Sequence, residues 1–502
     1  MNIELIQGDI LEKTCDLLVV SMFKGAKSVS DTTEAVDKGL EGVITELIAQ
    51  REFEGKLGES LVFPAFGWIN ARNVALLGLG DKKKFNEDTV RQIGGHIVKV
   101  AREQKAKSMT TFLHGAGEGG LNPRVSAQAL TEGLLLGAHT FHAYKGTQHK
   151  KNKQPSELSE VFIFEKYKRA AKMGLEGVKR GKVLSEATIL ARDLVNTPSA
   201  DMTPERMAEE AKALVVRGSG ISCKILDQAA IEHMGMHATL SVARGSRNAP
   251  VGVHLVYRPA KSKKTVAIVG KGVTFDSGGL SIKPANGMET MKIDMAGAAS
   301  VIGLFKALAD LKPKVTVHGI FLAVENMPGG NAFRPGDVVR AMDGTTIEIK
   351  STDAEGRVVL ADSLCYAKKQ KPDMIVDLAT LTGAVVIALG EEIAGLLTND
   401  EKLGQKLLTA AKETGEGLWE LPLHRPYMKA VRSKIADINN TGGRDGGVIK
   451  GALFLTPFVE DTPWAHIDIG GTCYTEKETR PDQPHGATGY GVRMLAKFLM
   501  SL

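Results

Sequence analysis

Along the first third of the chain the apolar positions switch repeatedly between two periods. CDLLVVSMF, RNVALLGLG, SMTTFLHG and LSEVFIFEK are short apolar runs rich in β-branched and aromatic side chains, the pattern of buried strands. Between them, LEGVITELIAQ, TVRQIGGHIVKVARE and RVSAQALTEGLLLGAHTF carry apolar residues at helical spacing. Strand and helix in alternation predict an α/β layer domain with a mostly parallel sheet over residues 1–165, beginning with a strand in MNIELIQGD. The lysine-rich stretch YKGTQHKKNKQPSELS at 144–159 reads as an exposed loop before the last strand of this unit.

A long helical stretch follows over 166–196 and ends at NTPSADMTPE, where Pro198 and Pro204 stop and restart helices. It is expected to connect the first domain to a second, larger α/β/α-layer domain over 197–502. The strand candidates there are SCKILD, VGVHLVY, TVAIVG, VTVHGIFLAV, MIVDLAT, IAGLLT and AHIDIG. GAASVIGLFKALADL, GRVVLADSLCYAKK and GVRMLAKFLMSL read as helices.

Composition narrows the class. With 43% hydrophobic and 24% charged residues, the 502-residue chain is globular and long enough for two or three domains. Its longest apolar run, MIVDLATLTGAVVIALG, is broken by Asp377, threonines and glycines, so no bilayer span is expected. The N-terminus carries Glu4 and Asp9 and no basic start, unlike a secretory signal. Cys15, Cys223, Cys365 and Cys473 lie far apart, which suits reduced core thiols and a cytoplasmic location. A net charge of +6 permits contact with nucleic acid without requiring it.

Glycines change the picture: many of the 55 cluster where strands end, chiefly in the second domain, and ligands of open α/β sheets bind at strand carboxyl ends. Two runs there carry the candidate chemistry. GKGVTFDSGGLSIKP holds Lys271 at the end of the strand TVAIVG, Asp276 in a turn, and Lys283. IKSTDAEGRVVLADSL holds Asp353, Glu355 and Arg357; in an extended segment the two acids would share a face. Asp294 lies just before another helix. Carboxylates gathered at strand-to-helix junctions suit Mg²⁺, Mn²⁺ or Zn²⁺, and several shared ones favour a two-metal centre. A lysine could join them only when neutral, which burial and a nearby dication favour. Taken singly, each residue has a plainer reading. Thr352 to Glu355 also fits a helix capping box, the lysines could be solvated, and Asp294 could cap its helix. His233 and His237 in HMGMH lack the intervening Glu of a zinc protease helix, and GAGEGG at 115–120 is a weak dinucleotide pattern.

STDAEGRVVLAD closely resembles the NTDAEGRL signature of the leucyl aminopeptidases (cytosol aminopeptidases) of bacterial type. ARDLVNTPSADMTP, VGKGVTFDSGGLSIKP, MKIDMAGAA, ENMPGG, RPGDVVRAMDG, DLATLTGA and HGATGYGVR have counterparts in the same order. The resemblance implies a hydrolase that releases N-terminal amino acids, Leu and Met types foremost, through water activated by two divalent metals, Mn²⁺ or Zn²⁺. It implies Asp276 and Glu355 as bridging ligands, Lys271 and Asp294 completing one site, and Asp353 the other. Lys283 would polarise the scissile carbonyl, and Arg357 would anchor a bicarbonate that shuttles the proton. Met291, Thr380 and Gly383, with Ala487 beside them, would line the pocket for the first side chain. A homohexamer acting on peptides with a free N-terminus is implied as well. Ser351 and Val358 depart from the signature's Asn and Leu, and Ser351 would border the second-residue pocket. Two rival classes stay open on the residues alone: a metal-dependent phosphoester hydrolase, and a protein whose first domain grips nucleic acid.

Overall fold

The computed structural model describes residues 1–26, 29–146 and 158–502, so residues 147–157 of the lysine-rich stretch lie outside the described residues. The chain forms two compact units, Met1–Glu186 with Lys477–His485, and Ala187–Glu476 with Gly486–Leu502. The helix expected as a connector spans Lys168–Asn196, its residues shared between the units. The short segment Lys477–His485, far along the chain, packs with the first unit.

In the first unit, strands β1 (Asn2–Gln7), β2 (Cys15–Met22), β3 (Ser60–Pro64), β4 (Ala71–Gly78), β5 (Ser108–Phe112) and β6 (Glu160–Glu165) form one sheet in the order β1-β6-β5-β2-β4-β3. All neighbours are parallel except β3, which runs antiparallel to β4 at the edge. Sequence patterning does not pick out β3: it is short, only partly buried and closes on Pro64, which an edge tolerates. Leu17, Val19, Ile93, Ile97, Leu130 and Leu134 pack the sheet against the helices Glu87–Glu103 and Pro123–Ala138. Arg91 and Glu132 join those two helices by a buried ion pair of 2.5 Å.

The second unit holds β7 (Ile221–Leu226), β8 (Val251–Tyr257), β9 (Thr265–Asp276), β10 (Thr316–Asn326), β11 (Val338–Arg340), β12 (Thr346–Glu348), β13 (Met374–Ala379), β14 (Ile393–Thr398), β15 (Gly417–Glu420), β16 (Ile438–Asn439) and β17 (Trp464–Asp468). The main sheet has the order β15-β14-β17-β13-β9-β10-β8-β7, and β11-β12-β16 make a small one. The central strands β10, β9, β13 and β17 are parallel, so their carboxyl ends share one edge. Asn326, Asp276, Thr380 and Asp468 stand at or just past those four ends. The helix Glu355–Lys369 packs Val358, Val359, Leu360, Ala361 and Leu364 into the core, which fixes its first turn at the same edge. Both units are therefore α/β layers. Among the described residues, no helix is long and apolar enough to cross a membrane.

Candidate metal centre

Lys271 and Asp276 do not flank a turn, as the sequence suggested; both belong to β9, which continues to Asp276. Residues five apart on a regular strand face opposite ways. Here the pairing with β10 slips at Val324/Glu325, leaving Thr274 as an extra residue. The bulge restores parity, so both side chains reach the same cluster. The expected capping box does not form either. The helix starts at Glu355 with Ala354 before it and no side-chain cap. Thr352 instead donates to Gly278 O at 2.6 Å and accepts from Ser281 N at 2.7 Å, pinning one glycine-rich run to the other. Asp353 lies in the turn before the helix rather than in an extended segment. Asp294 does not cap its helix; it lies in the 3-10 turn Met291–Met295.

These elements bring the predicted ligands together. Oxygens of Asp276, Asp353 and Glu355 lie within 4.8 Å of one another. Lys271 Nζ donates to Asp294 at 2.7 Å, to Glu355 at 3.0 Å and to Thr380 O at 3.0 Å. Lys283 Nζ sits 2.9 Å from Asp276 and 2.5 Å from Asp353. Thr380 donates its hydroxyl to Asp294 at 2.7 Å. Lys271 reaches this position only because residue 356 is glycine: a Cβ there would stand 2.2 Å from Lys271 Cε.

Four carboxylates therefore surround two lysines. Burial, then the Glu355 charge, push Asp276 up to about 6 against the pull of both lysines. Burial raises Asp294 well above the usual range and raises Asp353. Burial also works to raise Glu355, but Lys271 and Lys283 outweigh it and hold it low. Burial opposes the charge on Lys271, yet Asp294, Glu355 and Asp276 prevail and raise it. The sequence reading allowed a lysine ligand only in its neutral form, beside a dication; with carboxylates around it Lys271 is held protonated, so a cation would have to displace that proton.

Two buried oxygens, Asp294 Oδ2 and Glu355 Oε2, accept no hydrogen bond among the described residues. Leaving such acceptors dry and unpaired costs about 1–3 kcal/mol each, more when charged. Divalent cations are the partners such oxygens would accept. Oxygen donors with one amine suit the Mg²⁺, Mn²⁺ and Zn²⁺ class, so the residues present fit a metal.

Arg357 does not touch the cluster directly. It is buried, its Nη1 donates to Asn440 O at 2.9 Å, and it has no acidic ion-pair partner among the described residues. Burial pushes it down to about 10, opposed by the Glu355 and Asp468 charges. A buried guanidinium without a carboxylate suits a small anion. Met291 opens the 3-10 turn and is half-buried. Gly383 begins the helix Gly383–Leu389, with nothing within 4 Å of where a Cβ would sit. Ala487 is buried and donates its N–H to Asn196 Oδ1 at 3.0 Å. His233 and His237 end one short helix and begin the next, so they share no metal-binding turn.

Sequence reading missed four supporting residues. Asn326 donates to Asp276 Oδ1 at 2.8 Å and to Thr352 O at 2.9 Å. Asn440 donates to Ser351 O at 2.6 Å and receives Lys350 N at 2.8 Å. Asp468 accepts Leu381 N, Gly470 N and the Thr382 hydroxyl, fixing the turn after β13. Thr352 was read only as a cap. The one available signal was a polar residue closing an apolar strand, as in IFLAVEN and AHIDIG.

Comparison with known proteins agrees with this architecture. Residues 189–496 match the cytosol aminopeptidase family, catalytic domain, and residues 19–148 its N-terminal domain. The chain is 42% identical over 510 residues to a probable cytosol aminopeptidase of Persephonella marina, covering 100% of each. Among solved structures it is similar to a tomato leucine aminopeptidase mutant, with TM-score 0.88 and 32% identity over 100% of this chain and 97% of that one. It is also similar to the bottromycin maturation enzyme BotP in complex with Mn, with TM-score 0.84 and 36% identity over 97% and 99%. With both domains matched and the identity extending end to end, this chain belongs to the cytosol aminopeptidase family and is a metal-dependent aminopeptidase.

Proposed function

We propose that the chain is a two-metal aminopeptidase that removes N-terminal residues, Leu and Met types foremost, from peptides with a free amine. The observation that carries this reading is the pair of buried, donorless oxygens on Asp294 and Glu355, beside the close group of Asp276, Asp353 and Glu355 to which Lys271 ties Asp294. Lys271, Asp276, Asp294, Asp353 and Glu355 would hold two ions, Mn²⁺ or Zn²⁺, with Asp276 and Glu355 shared. Ions held there would supply Lewis acidity and lower the pKa of nearby water.

The remaining chemistry falls to the chain's own side chains. Lys283 spends two of its three donors on Asp276 and Asp353, which leaves the third to meet the scissile carbonyl oxygen as negative charge develops there. Arg357 would hold the bicarbonate implied by the resemblance, and a base there serves proton transfer to the leaving amine. Thr380, tied to Asp294, fixes the wall of the first-residue pocket. Met291 adapts to apolar side chains, and Gly383 leaves room for long ones. Family resemblance further supports a homohexamer in the cytoplasm; light scattering on purified protein tests the assembly.

The test of function is turnover of leucyl-anilide after chelation and again with Mn²⁺ or Zn²⁺ restored, beside an N-acetylated substrate. Metal-restored cleavage of the free-amine substrate alone is expected. Cleavage that survives thorough chelation, or of both substrates alike, would overturn the reading.

A further inference from the structure

Within the second unit, away from the carboxylate cluster, lies a depression of about 510 Å³ that opens to solvent. That volume falls in the range of about 300–1,000 Å³ typical of small-molecule sites. The helices Gln228–His233 and His237–Ala243, the loop from Arg244 to Pro250, and Asn331 line it. Arg244, Arg247 and Glu232 line it as exposed side chains, and none has an ion pair or side-chain hydrogen bond among the described residues. Asn248 and Asn331 add amide donors and acceptors. Exposed charges of both signs around one depression can meet both ends of a zwitterion. Two guanidiniums favour a planar carboxylate.

The cup is firmly built. A Cβ at Gly245 would lie 1.8 Å from Met327 O, so the loop is pressed against the segment that follows β10. Ser246 Oγ donates to Glu325 Oε2 at 2.5 Å and accepts Asn248 N at 2.9 Å. Glu325 precedes Asn326, whose amide bonds Asp276. One residue therefore separates the wall of the depression from a side chain that positions a proposed metal ligand.

We infer that this depression binds a small α-amino or N-acyl carboxylate, with Arg244 and Arg247 on the carboxylate and Glu232 on a free amine when one is present. The choice of ligand rests on the aminopeptidase reading, since released amino acids and peptide C-termini both carry that group. Isothermal titration of the Mn²⁺-loaded full chain tests it with L-leucine, N-acetyl-L-leucine and L-leucinol. N-acetyl-L-leucine is expected to bind, and Arg244→Ala/Arg247→Ala to raise its Kd at least tenfold. Leucinol, lacking the carboxylate, should be indifferent to those changes. Glu232→Gln should weaken L-leucine and spare N-acetyl-L-leucine. Tighter binding of N-acetyl-Leu-Leu than of leucine would assign the site to peptide C-termini, and the reverse order to the released product. Unchanged affinity in the double variant, or no binding of N-acetyl-L-leucine at millimolar concentration, overturns the inference. Leucyl-anilide turnover by the double variant within about threefold of the parent reports that it is folded. Failure of the parent to cleave leucyl-anilide would count against the aminopeptidase reading and leave the carboxylate result standing.

Discussion

In the first unit Arg480 grips both oxygens of Asp88, at 2.6 and 3.0 Å, and also bonds Asp482, while Arg91 pairs with Glu132. In the second unit Lys271 and Lys283 stand among four carboxylates. Both clusters are buried and ionic, yet they are finished differently. Arginine forks match carboxylates in shape, and no buried carboxylate oxygen of the first cluster lacks a donor among the described residues. Lysines are point charges, and in the second cluster Asp294 Oδ2 and Glu355 Oε2 are left over. The first cluster leaves no carboxylate unanswered, whereas the second keeps donorless oxygens of the kind a cation would answer. Two fully buried histidines, one in each unit, differ as well. His114 is neutral between the Ser21 and Thr111 hydroxyls, at 2.9 Å each, and burial pushes it down to about 3. Burial also acts against the charge on His466, but Asp377 at 2.6 Å outweighs it and raises the pKa.

The contrast can be broken most forcefully at Glu355. Glu355→Gln removes a proposed shared ligand, so kcat/KM should fall by about 10³-fold or more, as loss of several kcal/mol of charge stabilisation requires. Metal content should fall with it, while the chelated protein loses less stability than a fully stranded partner would cost, because Lys271 keeps Asp294. Arg91→Met attacks the completed cluster and strands Glu132. Breaking a buried pair from one side costs about 3–5 kcal/mol, so thermal unfolding should come markedly earlier while turnover per folded molecule is retained. Equal damage to stability by both variants would erase the distinction.

Gly356→Ala is subtler. The new methyl displaces Lys271 without removing any ligand, and a misplacement near 1 Å is worth about 10²-fold in rate. Turnover and metal affinity, measured together, should both drop. His114 sharpens the comparison through pH. Its folded pKa lies below the unfolded value, so the unfolded state binds more protons between about 6.5 and 3. Its contribution is complete above pH 6.5 and lost as pH falls, about 2 kcal/mol by pH 5. His114→Gln should flatten that slope in acid unfolding. His466 has the opposite sign: its contribution is present below the unfolded pKa and fades as pH rises through the folded one. The smallest effect is expected at Ser351→Asn. The serine hydroxyl accepts Asp353 N at 3.2 Å, and an asparagine oxygen can do the same, so kcat/KM on a dipeptide series should move by less than about threefold.

Much of this protein was legible in its residues. Apolar period marked five of the six strands of the first sheet and every central strand of the second, because burial on both faces demands an unbroken apolar run. The two charged runs stood out as candidate chemistry, but each residue had a plainer reading, and it was the resemblance of STDAEGRVVLAD to the leucyl aminopeptidase signature that implied their roles. What escaped was whatever depends on partners distant in sequence. The short strands β3, β11, β12, β15 and β16 carry too few apolar positions to announce themselves. Asn326, Asn440 and Asp468 are ordinary polar residues until the fold sets them against Asp276, Arg357 and the turn after β13.

The sequence alone determined the layer class, the location of the working end in the second unit and the set of candidate ligands, since periodicity and side-chain chemistry are local properties. Only the tertiary structure decided how that set meets. The bulge at Thr274 turns Lys271 and Asp276 to one face, Thr352 leaves its helix to tie two loops together, and Lys477–His485 joins the first unit. Each of these is settled by pairing energies between segments far apart in the chain, which local spacing does not encode.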